Sequence, residues 1–249
     1  MELDGKVCLI TGGTKGIGAA AAVELARRGA HISINGRAAD EEANRVKDEV
    51  EALGRKCHLH IADVSLAAEA VRCVETTAET LGSVDVLIHS AGGAVPGSLI
   101  DVTTGAWNRA FDIHVHAIFH LCRAAIPWMK GRREGAIVLV SSVAGLRGCA
   151  GAIAYGVVKG ALPQFARSLA RELADDNIRV NCVSPGIIRT RFQDHLTPDQ
   201  VANNIKNRIP LHREGKPEEV ADAIAMLVCN DFITGENVVI DGGMTMRIV

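Results

Sequence analysis

The stretch V-C-L-I-T-G-G-T-K-G-I-G-A-A, Val7 to Ala20, decides how the rest of the 249-residue chain is read. Its first five residues are a short β-branched, apolar run suited to a buried strand, and its end turns into a helical pattern. Between them stand Gly12, Gly16 and Gly18, spaced G-x-x-x-G-x-G. In a strand–loop–helix junction Gly12 permits the tight turn and Gly16 lets backbone approach a pyrophosphate. Gly18 lets the helix pack close to the strand. The helix N-terminus then presents free N–H groups and partial positive charge to phosphate oxygens. Thr14, Lys15 and Ile17 complete the loop. The position after a first strand and at the opening of a helix predicts a dinucleotide cradle rather than an ordinary strand-to-helix turn.

Outward from this unit, short apolar runs alternate with helix-period segments. The strand candidates are 7–11, 31–35, 56–61, 84–89, 136–141, 179–183 and 237–240. Helical stretches at 16–28, 40–53, 66–81, 104–129, 153–174 and 217–229 separate them. Such alternation predicts an α/β fold, a doubly wound parallel sheet with helices on both faces. Residues 1–249 form one domain, since no repeat, low-complexity tract or linker interrupts them. Gly29 and Gly54 are placed as helix stops, Ser65 and Thr103 or Thr104 as caps. The segment 187–211 has no clear strand character and is expected to close over the ligand crevice as a lid.

Composition narrows the class. A formal net charge of −2 with interspersed signs excludes an electrostatic case for nucleic acid or an anionic membrane surface. No apolar run approaches the roughly 18 residues that span a bilayer. The first strand begins almost at once, which leaves no room for a signal peptide. The seven cysteines are scattered without a C-x-x-C and read as reduced thiols in a cytoplasmic protein. His116 and His120 stand at i, i+4 but lack a third ligand, so no metal is expected.

The second strand indicates which nucleotide fits the cradle. It ends Asn35-Gly36-Arg37 with no terminal carboxylate to grip a ribose 2′-hydroxyl. Gly36 leaves room, and Arg37 together with Lys15 offers two cations to a 2′-phosphate. NADP(H) is therefore expected over NAD(H), with Asp63 and Val64 bordering the adenine.

Chemistry enters at the only tyrosine, Tyr155, four positions before Lys159. On a helix these residues share a face. A phenol needs a shift of about three units, roughly 4 kcal/mol, to act as an acid/base near neutrality. A cation about 4–5 Å away at an effective dielectric of ~20 supplies about 3–4 kcal/mol.

With T-G-G-T-K-G-I-G (11–18), Asp63, S-A-G (Ser90, Ala91, Gly92), V-S-S (140–142), Y-G-V-V-K (155–159), N-C-V-S-P-G (181–186) and T-G-E-N-V-V-I-D-G-G (234–243), the chain resembles the short-chain dehydrogenase/reductase family over essentially its full length. The resemblance implies a seven-stranded Rossmann-type sheet and hydride transfer between a nicotinamide and a carbonyl or secondary alcohol. It implies that Ser142 holds the substrate oxygen, Tyr155 moves the proton, and Lys159 depresses the phenol and bonds the nicotinamide ribose. Pro185, Gly186, Ile188 and Thr190 match the segment that bonds the carboxamide. Members of this length are usually homotetramers, and the tail Met244–Val249 is expected to pack on another subunit. Ile118, Phe119, Leu162 and Phe165 are expected to lie outside the core stripe of their helices.

Three positions depart from the pattern. His114 stands where the family has an asparagine on the middle helix that supports a helix irregularity and a proton relay. A neutral imidazole offers one donor and one acceptor and substitutes in part, making the relay pH-sensitive. The alternative is a packed histidine with the backbone carrying the relay. Ser90 replaces the first residue of N-A-G, with His89 before it. Pro163 lies inside the catalytic helix and has no N–H for the carbonyl of Lys159, so a kink is expected there. The pocket is expected to be lined by 93–99, 144–152 and the lid, whose residues are largely small and apolar, with Arg147, Arg189 and Arg191 as anion handles. Arg132-Arg133 offers a basic patch to an acidic carrier, which Asp175-Asp176 opposes. An NADPH-dependent ketoreductase resembling 3-oxoacyl carrier-protein reductases ranks first and a sugar or polyol dehydrogenase second. A non-catalytic NADPH-binding module is the rival from another class.

Overall fold

A computed structural model describes residues 1–194 and 196–246. Seven strands, β1 (Val7–Thr11), β2 (His31–Gly36), β3 (Cys57–Ile61), β4 (Val86–His89), β5 (Gly135–Val140), β6 (Ile178–Pro185) and β7 (Asn237–Ile240), form one sheet. Their order is β3-β2-β1-β4-β5-β6-β7, and every neighbouring pair is parallel. β1, β4, β5 and β6 are buried along their whole length, as strands covered on both faces must be. β6 runs two residues beyond its expected end, because Pro185 is its last residue and the N–H of Gly186 takes over the bond to Ile240 O at 2.9 Å.

The helices are α1 (Gly16–Arg27), α2 (Glu41–Ala52), α3 (Ala67–Leu81), α4 (Thr104–Phe111), α5 (Ala117–Arg132), α6 (Ile153–Leu173), α7 (Pro198–Asn203) and α8 (Pro217–Cys229). Asp40 and Thr103 cap α2 and α4 through Ala43 N and Ala106 N, at 3.0 and 3.1 Å. Ser65 does not cap α3. Its N–H and hydroxyl both go to Asp63 Oδ1, which leaves Leu66 as an uncapped N-cap residue. The long middle helix expected over 104–129 is broken into α4 and α5 by a π-helical turn, Asp112–His116. There the N–H of Ala117 bonds Asp112 O instead of Ile113 O.

Two apolar layers sandwich the sheet. One joins α1 and α8 to Ile10, Ile32, Ile34, Val86 and Val138. The other joins α3, α5 and α6 to Leu9, Leu87, Ile137 and Leu139. Ile118 and Leu162 belong to this second core, and Phe165 packs against it. The expectation that they stand outside the core stripe fails: helices that cover a twisted sheet and also touch each other bury more than one stripe. Phe119 alone of the four is exposed, at 46%.

From β1 the chain winds through β2 to the edge strand β3, then returns to β4 on the other side of β1. That reversal opens a crevice beyond the C-terminal ends of β1 and β4, where ligands of such sheets bind. The segment after β6 folds into short turns and α7 and is tied down by the Ile188–Gly215 bridge and by buried Ile209. Among the described residues no helix is long and apolar enough to cross a membrane.

Candidate active site

At the mouth of β1 the loop to α1 is built for close approach. Gly12 and Gly16 have φ of +65° and +54°. A Cβ on Gly12 would sit 2.7 Å from Ala91 Cα, and one on Gly18 would run into the Gly12 carbonyl. α1 starts without a side-chain cap, so its first N–H groups face the crevice. Ile17 packs towards the core while Thr190, from the segment after β6, lies over Gly16. The cradle therefore fits a pyrophosphate: bare backbone, unpaired amides and a helix N-terminus converge on it.

The adenosine end differs from expectation. Gly36 makes room for Thr14, whose Cγ2 would lie 2.6 Å from a Cβ at that position, and not for a phosphate. Lys15 is no free cation. Its ammonium sits between Asp40 (2.5 Å) and Glu42 (3.1 Å), and Glu42 also holds Arg191, after β6, at 3.1 Å. These acids lie past the end of β2, which is why a search for a strand-end carboxylate misses them. Arg37 is exposed and makes no ion pair among the described residues. Asp63 is exposed beside buried Val64. Ser90 N bonds Thr11 O at 3.0 Å, continuing the sheet into the crevice. Pro185 and Gly186 end β6 against Asp241, and Ile188 is buried behind them.

The catalytic candidates converge from two elements. Ser142, two residues beyond β5, opens a short 3₁₀ turn, its Oγ accepting from Ala144 N at 3.2 Å. Tyr155 and Lys159 project from α6. α6 runs through Pro163 as one helix. The Lys159 carbonyl that Pro163 cannot serve accepts instead from Ser141 Oγ at 2.7 Å. A Cβ on Gly145 would lie 2.5 Å from Lys159 C, so turn and helix are in contact. Ser141 thus fixes the strand end carrying Ser142 to the helix carrying the tyrosine.

Lys159 Nζ is buried, donates to Val140 O at 2.7 Å, and lies 5.7 Å from the Tyr155 ring centroid. Burial lowers its pKa to about 8. The Tyr155 phenol is pushed above its ordinary value by burial, with the hydrogen bond to Ser142 acting the other way. The expected depression of the phenol by Lys159 is therefore absent: the ammonium is engaged by a carbonyl, and desolvation wins.

His114 stands in the π-helical turn, edge-on to Tyr155 with ring centroids 5.8 Å apart. Its Nε2 donates to Gly93 O at 3.2 Å, since a carbonyl only accepts, and Nδ1 is a buried acceptor with no protein donor. Burial first, then Lys159, lowers its pKa to about 2. The imidazole is neutral throughout the working range, so the expected pH-sensitive relay does not follow. Sequence reasoning left His89 without a role. In β4 it is fully buried, with Nδ1 2.8 Å from Thr11 Oγ1 and Nε2 3.1 Å from Ile113 O. A histidine in a wholly buried strand was the available signal.

Two of the three basic handles are ion-paired within the fold, and exposed Arg147 makes no ion pair among the described residues. Arg147 donates to Thr245 O, Arg189 pairs with Glu214 at 2.5 Å and Arg191 with Glu42. Arg132 pairs with buried Asp85, Arg133 donates to Asp175 O, and Lys130 neutralises Asp176. Of the basic patch expected for an acidic carrier, Arg132 is neutralised within the fold, whereas exposed Arg133 keeps its charge. No cluster of three metal-ligating side chains occurs among the described residues.

A family model described as enoyl-(acyl carrier protein) reductase matches residues 12–245. Dehydrogenase/reductase SDR family member 4 of Oryctolagus cuniculus is 37% identical over 250 residues, 99% of this chain and 96% of the relative. The 3-oxoacyl-(acyl-carrier-protein) reductase of Thermotoga maritima is 35% identical over 248 residues, 99% of this chain and 100% of the relative. Among solved structures, L-sorbose reductase from Gluconobacter frateurii, complexed with NADPH and L-sorbose, superposes with a TM-score of 0.93 at 28% identity, covering 100% of this chain and 99% of that one.

Proposed function

Because the chain belongs to the short-chain dehydrogenase/reductase family of oxidoreductases, we propose that it is an NADP(H)-dependent ketoreductase interconverting a ketone and a secondary alcohol. The observation that supports this is the junction of β5 and α6, where Ser142 hydrogen-bonds Tyr155 and Lys159 Nζ lies 5.7 Å from the Tyr155 ring centroid. The bound nicotinamide supplies or accepts the hydride. Ser142 Oγ holds the substrate oxygen and the charge that develops on it. Tyr155 gives its proton to that oxygen in reduction and recovers it in oxidation. Lys159 lies under the Tyr155 ring, positioned to bond ribose hydroxyls and to balance the phenolate once its own contacts shift. His114 shields the phenol and keeps one imidazole acceptor available to the site.

The NADP(H) preference rests on exposed Arg37 and on the NADPH complex of the L-sorbose reductase neighbour. Glu42 and Asp40 oppose it by occupying Lys15. For substrate, the Thermotoga relative favours a 3-oxoacyl group, and the L-sorbose reductase neighbour favours a sugar or polyol. Arg189 and Arg191 are ion-paired, which favours a neutral ketone; an anionic group would find only exposed Arg147, bonded to the Thr245 carbonyl. A cytoplasmic homotetramer accompanies this reading: the described cysteines are free thiols, and Phe119 and Trp128 of α5 are 46% and 43% exposed. In the proposed tail contact, Thr245 O accepts from Arg147 and Met246 is exposed; residues 247–249 lie outside the described residues.

NADPH consumption over a panel of ketoses, 3-oxoacyl thioesters and simple ketones tests the proposal. Turnover that Tyr155→Phe lowers by about 10²–10⁴-fold supports it. NADPH binding without turnover of any member would replace it with a nucleotide-binding module.

A further inference from the structure

We propose that His89 is a positioning residue for the catalytic tyrosine, acting through the π-helical turn of the middle helix. The inference rests on the reading of Tyr155 as the acid/base.

The turn creates a need. Because Ala117 N–H bonds Asp112 O, the Ile113 carbonyl loses the donor it would have in an α-helix. His89 Nε2–H supplies a replacement from β4 at 3.1 Å. The tautomer follows: Nε2 carries the proton, so Nδ1 accepts from the Thr11 hydroxyl at 2.8 Å. Thr11 is the last residue of β1, so the ring is held at both nitrogens by buried partners from different elements.

A second imidazole returns the contact. His114, inside the turn, donates Nε2–H to Gly93 O, four residues beyond His89. His89 thus bonds a carbonyl of the turn that carries His114, and His114 bonds a carbonyl of the loop that leaves β4. Two neutral rings clasp the end of β4 to the irregular turn, and a Cβ on Gly92 would collide with the His114 ring between them. The same His114 ring meets Tyr155 edge-on at 5.8 Å. Freeing the Ile113 carbonyl lets the turn relax towards a regular helix, rotates His114, and uncovers the phenol.

Tyr155 is the only tyrosine, so near-ultraviolet tyrosinate absorbance titrates it directly, without substrate or cofactor. The phenol's elevated pKa comes from burial, so loss of its cover brings the midpoint down towards the ordinary value. His89→Phe keeps ring volume and removes the donor; a fall of about 0.5–1 unit is expected with circular dichroism unchanged. His89→Gln, whose amide N–H reaches about as far as Nε2, is expected to restore the parental midpoint. Thr11→Val, nearly isosteric, frees Nδ1 and shifts the midpoint in the same direction by less, which keeps the test open if His89→Phe does not fold. A parental midpoint in every folded variant overturns the proposal and leaves His89 a purely structural residue. Parental turnover in Tyr155→Phe would instead defeat the acid/base reading, a separate outcome.

Discussion

Acidification from about pH 7.5 to about pH 5 is expected to destabilise this protein by several kcal/mol through two imidazoles alone. His89 and His114 are 0% and 1% exposed, and burial, reinforced by the Lys159 charge, moves them from 6.5 to about 3 and about 2. Both shifts are downward, so the folded state refuses protons that the unfolded chain accepts. Their contribution is complete above about pH 6.5 and is lost as the pH falls towards the folded-state values. Each unit below the unfolded pKa is worth about 1.4 kcal/mol per group, hence about 2 kcal/mol each at pH 5 and about 4 kcal/mol together. Denaturant unfolding at both pH values, on the parent and on His89→Gln/His114→Asn at one protein concentration, isolates the pair. His31, His58 and His60 also titrate low, but they are common to both proteins. The parent should lose about 4 kcal/mol more than the variant. A differential below about 1 kcal/mol would mean that the rings are protonated or solvated in the native state, and the clasp as described would be wrong.

Ser141→Ala leaves the Lys159 carbonyl buried without a donor; calorimetry should show a loss of about 1–3 kcal/mol, and an unchanged Tm would refute the compensation for Pro163. Gly92→Ala places a methyl on the His114 ring at a φ of +146°, so a loss of about 2 kcal/mol or more is expected, only part of it recovered by adding His114→Ser. Glu42→Gln frees Arg191 and removes one of the two acids that hold Lys15, and NADPH should bind about two- to five-fold tighter by fluorescence titration while NADH changes little; equal gains for both would refute a role at the 2′-phosphate. Since His114 is neutral across the working range, His114→Asn should keep the shape of the pH–rate profile between about pH 5 and 7, and a displaced limb would show that the imidazole titrates.

Periodicity and glycine placement predicted the sheet almost residue by residue, because a doubly buried parallel strand has little freedom of composition. β1 and β7 match their expected bounds, and so does α8 with Pro217 in its first turn. The departures share a cause: each depends on a partner distant in sequence. The π-helical turn cannot be seen in the apolar pattern of 104–129, since a single widened turn leaves the stripe intact on either side. Asp40 and Glu42 were legible as a helix start, yet their reach back to Lys15 needs the fold. The role of Ser141 became apparent only with Pro163 beside it in space. Motif order led to the expectation of the trio Ser142, Tyr155 and Lys159, whereas the direction of the phenol's shift had no trace in the sequence, because desolvation is a property of packing.

The Ser141 bond to α6, with Gly145 pressed on the same helix turn, separates two functions along one loop. Residues up to Gly145 are riveted to the helix, whereas Arg147, Gly148, Cys149, Ala150 and Gly151 are all exposed. Diversification can therefore be concentrated at Arg147, Gly148, Cys149 and Ala150, since Gly151 holds a φ of +73° that a side chain would strain, while the distance between strand end and helix is inherited unchanged.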